Sequence, residues 1–218
     1  NIVVIDDSAE TVLSDYKGSV SGTCADIGVY SFEKSKHMTS GSEGGMIVTN
    51  NETLAEKSRK FAGIGYNYRM NVITVACGIA QLEILDELVE NRKKIGAMFL
   101  KAVEGCSWIK TQKVYDYCEH SYFTFAIVYN GIIPWKEFYN RYLEMGGDGF
   151  YGCWKPPYLE PSLRGRNFDG REYPEGSFPV AEEYQKKIMA FKTNYKSLDV
   201  AQEKVSILSN LIDQIGRN

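Results

Sequence analysis

Short apolar runs in the first quarter of the chain predict the strands of one sheet. β-Branched and aromatic residues fill residues 2–5, 27–32 and 46–49, and polar residues or glycine bound each run. Such runs are typical of strands, and their apolar character predicts that the sheet is buried. Asn50 and Asn51 follow the third run and predict a capped helix over about residues 52–61.

Beyond this region the apolar period becomes that of helices. From Val72 to residue 104 apolar residues recur at spacings of three and four, which predicts one long helix or two in series. Three further elements are predicted: a strand over residues 122–129, a helix with proline at its start over residues 134–145, and a final helix that Asp199 and Gln202 cap and that reaches Ile215. The second region is therefore a smaller α+β domain, with a boundary near residues 88–105.

Composition narrows the class of protein. Hydrophobic residues make up 44% of the 218 residues, which predicts a globular chain. The net charge is -3, which predicts no nucleic acid partner. The longest apolar run is far shorter than a membrane span and no signal peptide opens the chain, so we expect a cytoplasmic location and no membrane partner. Asn1 leads directly into the first strand, as expected of the later part of a longer protein.

The ionisable residues favour lysine and carboxylate chemistry. The five cysteines form no C-x-x-C pair, so neither a zinc site nor a disulfide framework is indicated. Only two histidines, His37 and His120, are present, which leaves few ways to build a metal site or a Ser-His-Asp triad. No metal is therefore expected.

Lys36 stands between a predicted strand and a glycine-rich turn over residues 40–45. A lysine that is fixed in this way can form a Schiff base with a carbonyl cofactor, although a lone lysine beside glycines is usually only a solvated side chain. Pyridoxal 5'-phosphate also needs an acid at its pyridine nitrogen. Asp6 and Asp7 alternate across a strand end, so only one of them can face such a site.

The motifs around Lys36 resemble those of the DegT/DnrJ/EryC1/StrS family of sugar aminotransferases, within the type I fold of pyridoxal phosphate enzymes. The resemblance covers most of residues 2–95 and is carried by Asp6-Asp7-Ser8-Ala9-Glu10, residues 31–36, Ser42-Glu43-Gly44-Gly45, Tyr66-Asn67-Tyr68-Arg69-Met70 and Ala80-Gln81-Leu82. It implies an α/β fold class. Residues 1–95 would be part of the large cofactor-binding domain, with a mainly parallel sheet and helices, and residues 96–218 the small α+β C-terminal domain.

The resemblance also implies roles for individual residues. Lys36 would be the Schiff-base lysine, Asp7 the partner of the pyridine nitrogen, and Ser31 a ligand of the cofactor phosphate. Asn67 would reach the phosphate of the neighbouring subunit's cofactor, which implies a homodimer with shared active sites. Glu10 occupies the position where the family usually has glutamine or histidine near the phenolic oxygen.

The glycines that follow Lys36 are interpreted as structural. Arg69 is also interpreted as structural, and Asp6 is interpreted as turned away from the site. Residues 147–176 are rich in glycine, proline and aromatic residues and predict a long irregular loop. Within it, Trp154, Lys155 and Tyr158 either face substrate or pack the loop.

The implied activity is transfer of an amino group from glutamate or glutamine to a keto sugar, nucleotide-linked or phosphorylated, in antibiotic or polysaccharide biosynthesis. One alternative is a sugar dehydratase of the same family. Those enzymes have histidine in place of Lys36, which disfavours that alternative, although His37 is adjacent. A second alternative is a regulatory or assembly protein that kept the fold and lost activity, as the unusual Glu10 would allow.

Two departures from the family pattern stand out. Family members have a long N-terminal segment that supplies part of the phosphate cradle and much of the sheet, so residues 1–218 alone are not expected to complete a site. The family also places an extra stretch before its Gly-Tyr-Asn-Tyr-Arg motif. Here Gly63-Ile64-Gly65 directly precedes Tyr66.

Overall fold

The computed structural model describes residues 2–64, 66–163 and 170–218. Its strands are β1 (Ile5–Asp7), β2 (Asp15–Tyr16), β3 (Ser19–Val20), β4 (Ile27–Ser31), β5 (Gly45–Val48), β6 (Ile109–Thr111), β7 (Cys118–Glu119), β8 (Thr124–Tyr129), β9 (Tyr151–Gly152) and β10 (Ile188–Lys192). Its α-helices are α1 (Glu52–Gly63), α2 (Val72–Leu82), α3 (Leu85–Val103), α4 (Trp135–Glu144), α5 (Pro179–Gln185) and α6 (Leu198–Ile215). Within the described residues, no helix is both long and apolar enough to cross a membrane.

The chain forms two compact units. Unit 1 contains the described residues up to Gly96, together with Lys113–Phe123 and Thr193–Leu198. Unit 2 contains Ala97–Gln112, the described part of Thr124–Lys192, and Asp199–Asn218. Two short segments from late in the chain therefore belong to the unit that carries Lys36.

The three predicted strands of unit 1 form one sheet in the order β1-β4-β5. β1 is parallel to β4 and β5 is antiparallel to it, and the ladder with β4 begins at Ile5 rather than at residue 2. The prediction that this sheet is buried is wrong for this chain. Ile5 of β1 and Met46 and Ile47 of β5 remain more than half exposed.

A second small sheet in unit 1 was not predicted. β2 and β3 form a hairpin whose turn residues, Lys17 and Gly18, both have positive φ angles of 54° and 81°. Positive φ at both positions suits the tight turns of two-residue hairpins. Strands of two residues are too short to produce a visible alternation, which is why the hydrophobic pattern did not reveal them.

The core of unit 1 joins α3 to the segments on both sides of Lys36. Val12, Phe32, Met38, Leu85 and Val89 form one buried cluster. Leu85 and Val89 come from the apolar stripe at the start of α3. Phe32 and Met38 flank the turn that carries Lys36. The core therefore holds both ends of that turn.

The helices of unit 1 agree closely with the predictions. The side chain of Asn51 accepts a hydrogen bond from the Leu54 backbone N–H and caps α1, which ends at Gly63 instead of near residue 61. The long apolar pattern after Val72 is two helices in series, α2 and α3. Their side chains differ in burial, because α3 contributes to the core whereas most of the large apolar residues of α2 are exposed.

Unit 2 is an antiparallel four-stranded sheet with helices, in the strand order β6-β8-β10-β9. The predicted strand is observed as β8, and the predicted helices are observed as α4 and α6. Pro134 precedes α4, and Asp199 lies in the first turn of α6 rather than at its cap. Four elements were not predicted, namely β6, β9, β10 and α5, and β9 lies within the stretch predicted as an irregular loop.

Candidate functional site

The carboxyl ends of β1 and β4 bring four of the predicted site residues to one edge of the sheet. The two strands run parallel, with Asp7 opposite Val29. Asp7 is the last residue of β1 and Ser31 is the last residue of β4. Glu10 and Lys36 lie in the segments that leave these two ends. Because ligands of open α/β sheets bind outside the carboxyl ends of the strands, this edge is the candidate site.

A short turn after β4 fixes the backbone of Lys36. Its N–H donates to the Glu33 carbonyl oxygen at 3.0 Å. The Glu33 carboxylate accepts bonds from the backbone N–H and the hydroxyl of Ser35, at 2.9 and 2.5 Å, and these bonds lower the pKa of Glu33. Phe32 and Met38, one on each side of the turn, are anchored in the core. The position of the lysine is therefore set by local and tertiary contacts together.

The amine of Lys36 makes an ion pair and a ring contact. Nζ lies 2.7 Å from Oε1 of Glu10 and 4.6 Å from the centroid of the Phe123 ring. The Lys36 side chain is 14% exposed and that of Glu10 is 57% exposed. A pair with one partner in solvent contributes roughly 0–1 kcal/mol to stability. The main effect of these contacts is to direct the amine.

Arg92 of α3 binds the backbone of the same turn. Its Nη2 donates to the carbonyl oxygens of Lys36 at 2.9 Å and Ser35 at 3.2 Å. Its Nη1 donates to the Phe123 carbonyl at 2.9 Å and to the Thr193 hydroxyl at 3.2 Å. Burial lowers the pKa of Arg92 to about 10, which is still far above neutral pH, so the guanidinium is charged.

His37 packs as a neutral side chain next to Lys36. Its Nε2 lies 3.1 Å from the Ser121 carbonyl oxygen. A carbonyl can only accept, so Nε2 carries the proton and the buried Nδ1 carries a lone pair. Burial first, and then the charge of Arg92, lowers the pKa of His37 to about 4.

The two aspartates at the end of β1 have different partners. Asp6 accepts hydrogen bonds from the Gly22 backbone N–H at 2.7 Å and from the Ser8 hydroxyl at 3.0 Å. Asp7 is exposed and accepts one bond, from the Ala9 backbone N–H at 3.2 Å. Asp6 therefore holds the neighbouring loop, and the role of Asp7 toward a ring nitrogen stays a prediction.

Ser31 and the glycines after the lysine shape the same edge. The Ser31 hydroxyl accepts a bond from the Glu33 N–H at 3.3 Å, and its role toward a phosphate stays a prediction. Gly41 has a φ of 85°, in the region that favours glycine. A Cβ on Gly44 would lie 2.6 Å from Oγ of Ser40. The backbone at Gly41 and the close approach at Gly44 both require glycine.

Asn67 lies in the exposed segment between α1 and α2, with a φ of 51°. Its Oδ1 accepts a bond from Nε of Arg69 at 3.2 Å. In the part of the chain that the structure describes, no hydrogen bond joins Asn67 to Lys36 or Glu10. Its predicted contact with a neighbouring subunit's cofactor stays a prediction, and Gly65, where its motif begins, lies outside the described residues.

The predicted loop over residues 147–176 belongs to unit 2 and contains β9 and a 3₁₀ turn, Pro157–Leu159. Trp154 is 89% exposed, whereas the Tyr158 hydroxyl donates to the Glu182 carboxylate at 2.5 Å. Tyr158 therefore packs the loop against α5. Residues 164–169 of the predicted loop lie outside the described residues.

The sequence did not identify two members of the cluster around the lysine, Arg92 and Phe123. Arg92 continues the apolar spacing through Leu85 and Val89, so a charged residue at a position predicted to be buried was the available signal. Phe123 comes directly before β8, and no local pattern distinguishes it from other strand aromatics.

Comparison with known proteins points to one family. The model of the DegT/DnrJ/EryC1/StrS aminotransferase family matches residues 1–206. A GDP-perosamine synthase from Escherichia coli O157:H7 is 37% identical over 141 residues, which are 59% of this chain and 38% of that protein. A UDP-4-amino-4,6-dideoxy-N-acetyl-beta-L-altrosamine transaminase from Campylobacter jejuni subsp. jejuni serotype O:23/36 (strain 81-176) is 31% identical over 219 positions, which cover 88% of this chain and 57% of that protein. The chain thus spans about half the length of the curated relatives it matches.

Solved structures share the fold. S. venezuelae DesV, solved in complex with a ketimine intermediate, has a TM-score of 0.85 and 19% identity over 99% of this chain and 59% of that chain. The PLP form of Spr1654 from Streptococcus pneumoniae has a TM-score of 0.78 and 21% identity over 99% of this chain and 59% of that chain. At these identities the likeness shows the fold alone, and it agrees with the predicted fold class.

Proposed function

Because the chain belongs to the DegT/DnrJ/EryC1/StrS aminotransferase family, we propose that the protein it forms is a pyridoxal 5'-phosphate-dependent sugar aminotransferase. The amino group passes from glutamate or glutamine to a keto sugar that is nucleotide-linked or phosphorylated. The observation that carries the proposal is the Lys36 amine, which lies at the carboxyl edge of the sheet and is held 2.7 Å from Glu10. The names of the two curated relatives support a sugar as the substrate class.

The side chains at this edge fit pyridoxal phosphate by chemical type. The edge offers a largely buried amine at Lys36, an exposed carboxylate at Asp7 and a hydroxyl at Ser31. When bound, the cofactor supplies a protonated ring that withdraws electrons from the bond that breaks in the substrate. We assign Asp7 to the ring nitrogen, because a carboxylate stabilises a positive charge beside it. Ser31 donates its hydroxyl to the phosphate.

Lys36 binds the cofactor and, when its amine is free, acts as the base that takes a proton from the α-carbon of the amino donor. Glu10 accepts a hydrogen bond from the same Nζ and so orients the amine. The face of the Phe123 ring covers the amine and limits the access of water to that amine. Glu10 thus serves the lysine in this chain, in addition to any contact with the phenolic oxygen.

We propose that a second subunit and a further part of the protein complete the site. Asn67 would reach the phosphate of the neighbouring subunit's cofactor in a homodimer. The exposed apolar residues of α2, together with the exposed Ile5 of β1, support this, since an apolar helix face is normally covered. In the whole protein, residues 1–95 belong to the large cofactor-binding domain and residues 96–218 to the small domain, apart from Lys113–Phe123 and Thr193–Leu198, which pack in unit 1. The proposed location is the cytoplasm.

Replacement of Lys36 tests the proposal. In the full-length protein, we expect Lys36→Ala to lose at least a thousandfold in the rate of amino transfer to a keto sugar, because no other amine replaces it. Lys34→Ala is the matched control, since Lys34 is an exposed lysine of the same turn, and it should keep the wild-type rate. Borohydride reduction followed by peptide mapping should place the cofactor on Lys36.

The same experiment separates the alternatives. A Lys36→Ala protein that transfers amino groups at the wild-type rate would contradict the assignment. A wild-type protein that binds pyridoxal phosphate but eliminates water from the sugar would indicate the dehydratase. A full-length protein that binds no cofactor would indicate a regulatory or assembly protein.

A further inference from the structure

Arg92 is a buried cation whose hydrogen-bond partners are all neutral. It is 5% exposed, and its guanidinium donates to the carbonyl oxygens of Ser35, Lys36 and Phe123 and to the hydroxyl of Thr193. Among the described residues, no carboxylate forms an ion pair with it. A charge without a counterion is costly to bury, so stability alone does not account for an arginine at this position.

The arrangement of donors joins three separate segments. One end of the planar guanidinium, Nη2, binds two consecutive carbonyls of the lysine turn. The other end, Nη1, binds the residue before β8 and the residue after β10. The rigid fork of an arginine fixes the angle between such partners, whereas a lysine would act as a point charge without that geometry.

The same side chain also acts on the far end of the lysine. Phe123, whose carbonyl Arg92 holds, places its ring 4.6 Å from Nζ of Lys36. Arg92 Cζ lies 5.7 Å from the same ring. Arg92 therefore holds the backbone of Lys36 directly, and through Phe123 it holds the surface against which the amine rests.

We propose that Arg92 is a positioning residue that fixes Lys36 in its reactive orientation. It does so through the hydrogen bonds that its guanidinium donates to the carbonyl oxygens of Ser35 and Lys36. The catalytic meaning of this role rests on the proposed function of Lys36. The positioning itself is a property of this chain that can be measured without cofactor.

The first test measures the accessibility of Lys36 in the cofactor-free, full-length protein. Acetic anhydride labels exposed amines, and mass spectrometry gives the ratio of labelling at Lys36 to that at Lys34, which is exposed in the same turn. In Arg92→Gln and in Arg92→Lys we expect this ratio to rise by about threefold or more, because local opening frees the amine. Arg92→Lys keeps the charge and loses the fork, so it separates geometry from electrostatics.

Ile95→Ala is the control for a general loss of stability. Ile95 is fully buried on the same helix, and its truncation weakens the fold without removing any bond to the lysine turn. The labelling ratio of Ile95→Ala should stay within about twofold of the wild-type ratio. If Arg92→Gln does not fold, Arg92→Lys alone decides the outcome.

The second test uses the cofactor-loaded protein. We expect both Arg92 variants to lower kcat by about tenfold to a hundredfold while the KM of the amino donor changes little, because small misplacements of a reacting group have effects of this size. An unchanged labelling ratio in both variants, or an equal rise in Ile95→Ala, would overturn the proposal. A wild-type protein without cofactor or activity would count against the proposed function only, since the labelling result does not depend on it.

Discussion

At the scale of single residues, His37 provides a pH dependence that follows from its burial. The folded-state pKa is about 4, whereas the ordinary value is 6.5. Between these values the unfolded chain binds a proton that the folded chain does not bind. The stabilising contribution of the neutral imidazole is therefore complete above about pH 6.5 and is lost as the pH falls toward 4.

We expect His37 to lower the free energy of unfolding by about 2 kcal/mol when the pH falls from 8 to 5. Urea unfolding of the full-length protein at the two pH values measures the loss, and His37→Asn should make it smaller by that amount. His120, whose pKa burial also lowers, contributes with the same sign, so His120→Asn measures its separate share of the loss. Equal losses in wild type and His37→Asn would contradict the argument.

The site residues show how far local sequence reaches. Lys36 was proposed because its turn, its glycines and its strand are contiguous in the chain. Its contact with Glu10 joins residues 26 apart, and its contact with Arg92 joins residues 56 apart. No spacing rule covers such separations, so Glu10 was assigned to a cofactor oxygen and Arg92 was not assigned at all.

At the scale of elements, α3 packs closely against the segment before β8. A Cβ on Gly96 would lie 2.6–2.8 Å from ring atoms of Tyr122, so the aromatic ring rests directly on the helix backbone. Glycine is a poor helix former, and its presence in the middle of α3 follows from this contact. The pattern of apolar residues predicted the helix but did not reveal the contact with Tyr122 that requires glycine at this position.

We expect Gly96→Ala to lower the free energy of unfolding by about 1–3 kcal/mol, because the added methyl must displace a rigid ring. Gly63→Ala is the matched control, since Gly63 lies at the end of α1 and a methyl group added there would meet no atom within 4 Å. That control should be neutral or stabilising by up to about 1 kcal/mol. Thermal or urea unfolding compares the two, and equal effects would argue against the contact.

At the scale of the whole molecule, the surface of unit 1 is unusually apolar. Val72 is 84% exposed and Ile73 is 77% exposed, and Ile79 and Leu82 of the same helix are also more than half exposed. A helix that is apolar on most of its surface is normally buried by a partner. This is the feature on which the proposed subunit contact rests.

We expect the double variant Val72→Glu, Ile73→Glu to raise the dissociation constant of the proposed dimer by about a hundredfold or more, since burying each added charge is costly. Sedimentation of the full-length protein measures the association. Val180→Glu, at an exposed apolar position on α5, is the control and should leave it unchanged. A loss of stability without dissociation would show that α2 packs against another part of the same protein.

The sequence by itself determined the local elements and singled out Lys36 as the candidate lysine, because helix caps, strand runs and glycine turns depend on neighbouring residues. Only the tertiary structure decided the burial of the strands, the short hairpin β2 and β3, and the cluster of Glu10, Phe123 and Arg92 around Lys36. These depend on which distant segments meet. The physical reason is that hydrogen bonds, ion pairs and burial act through space, whereas the hydrophobic period records only the order of residues along the chain.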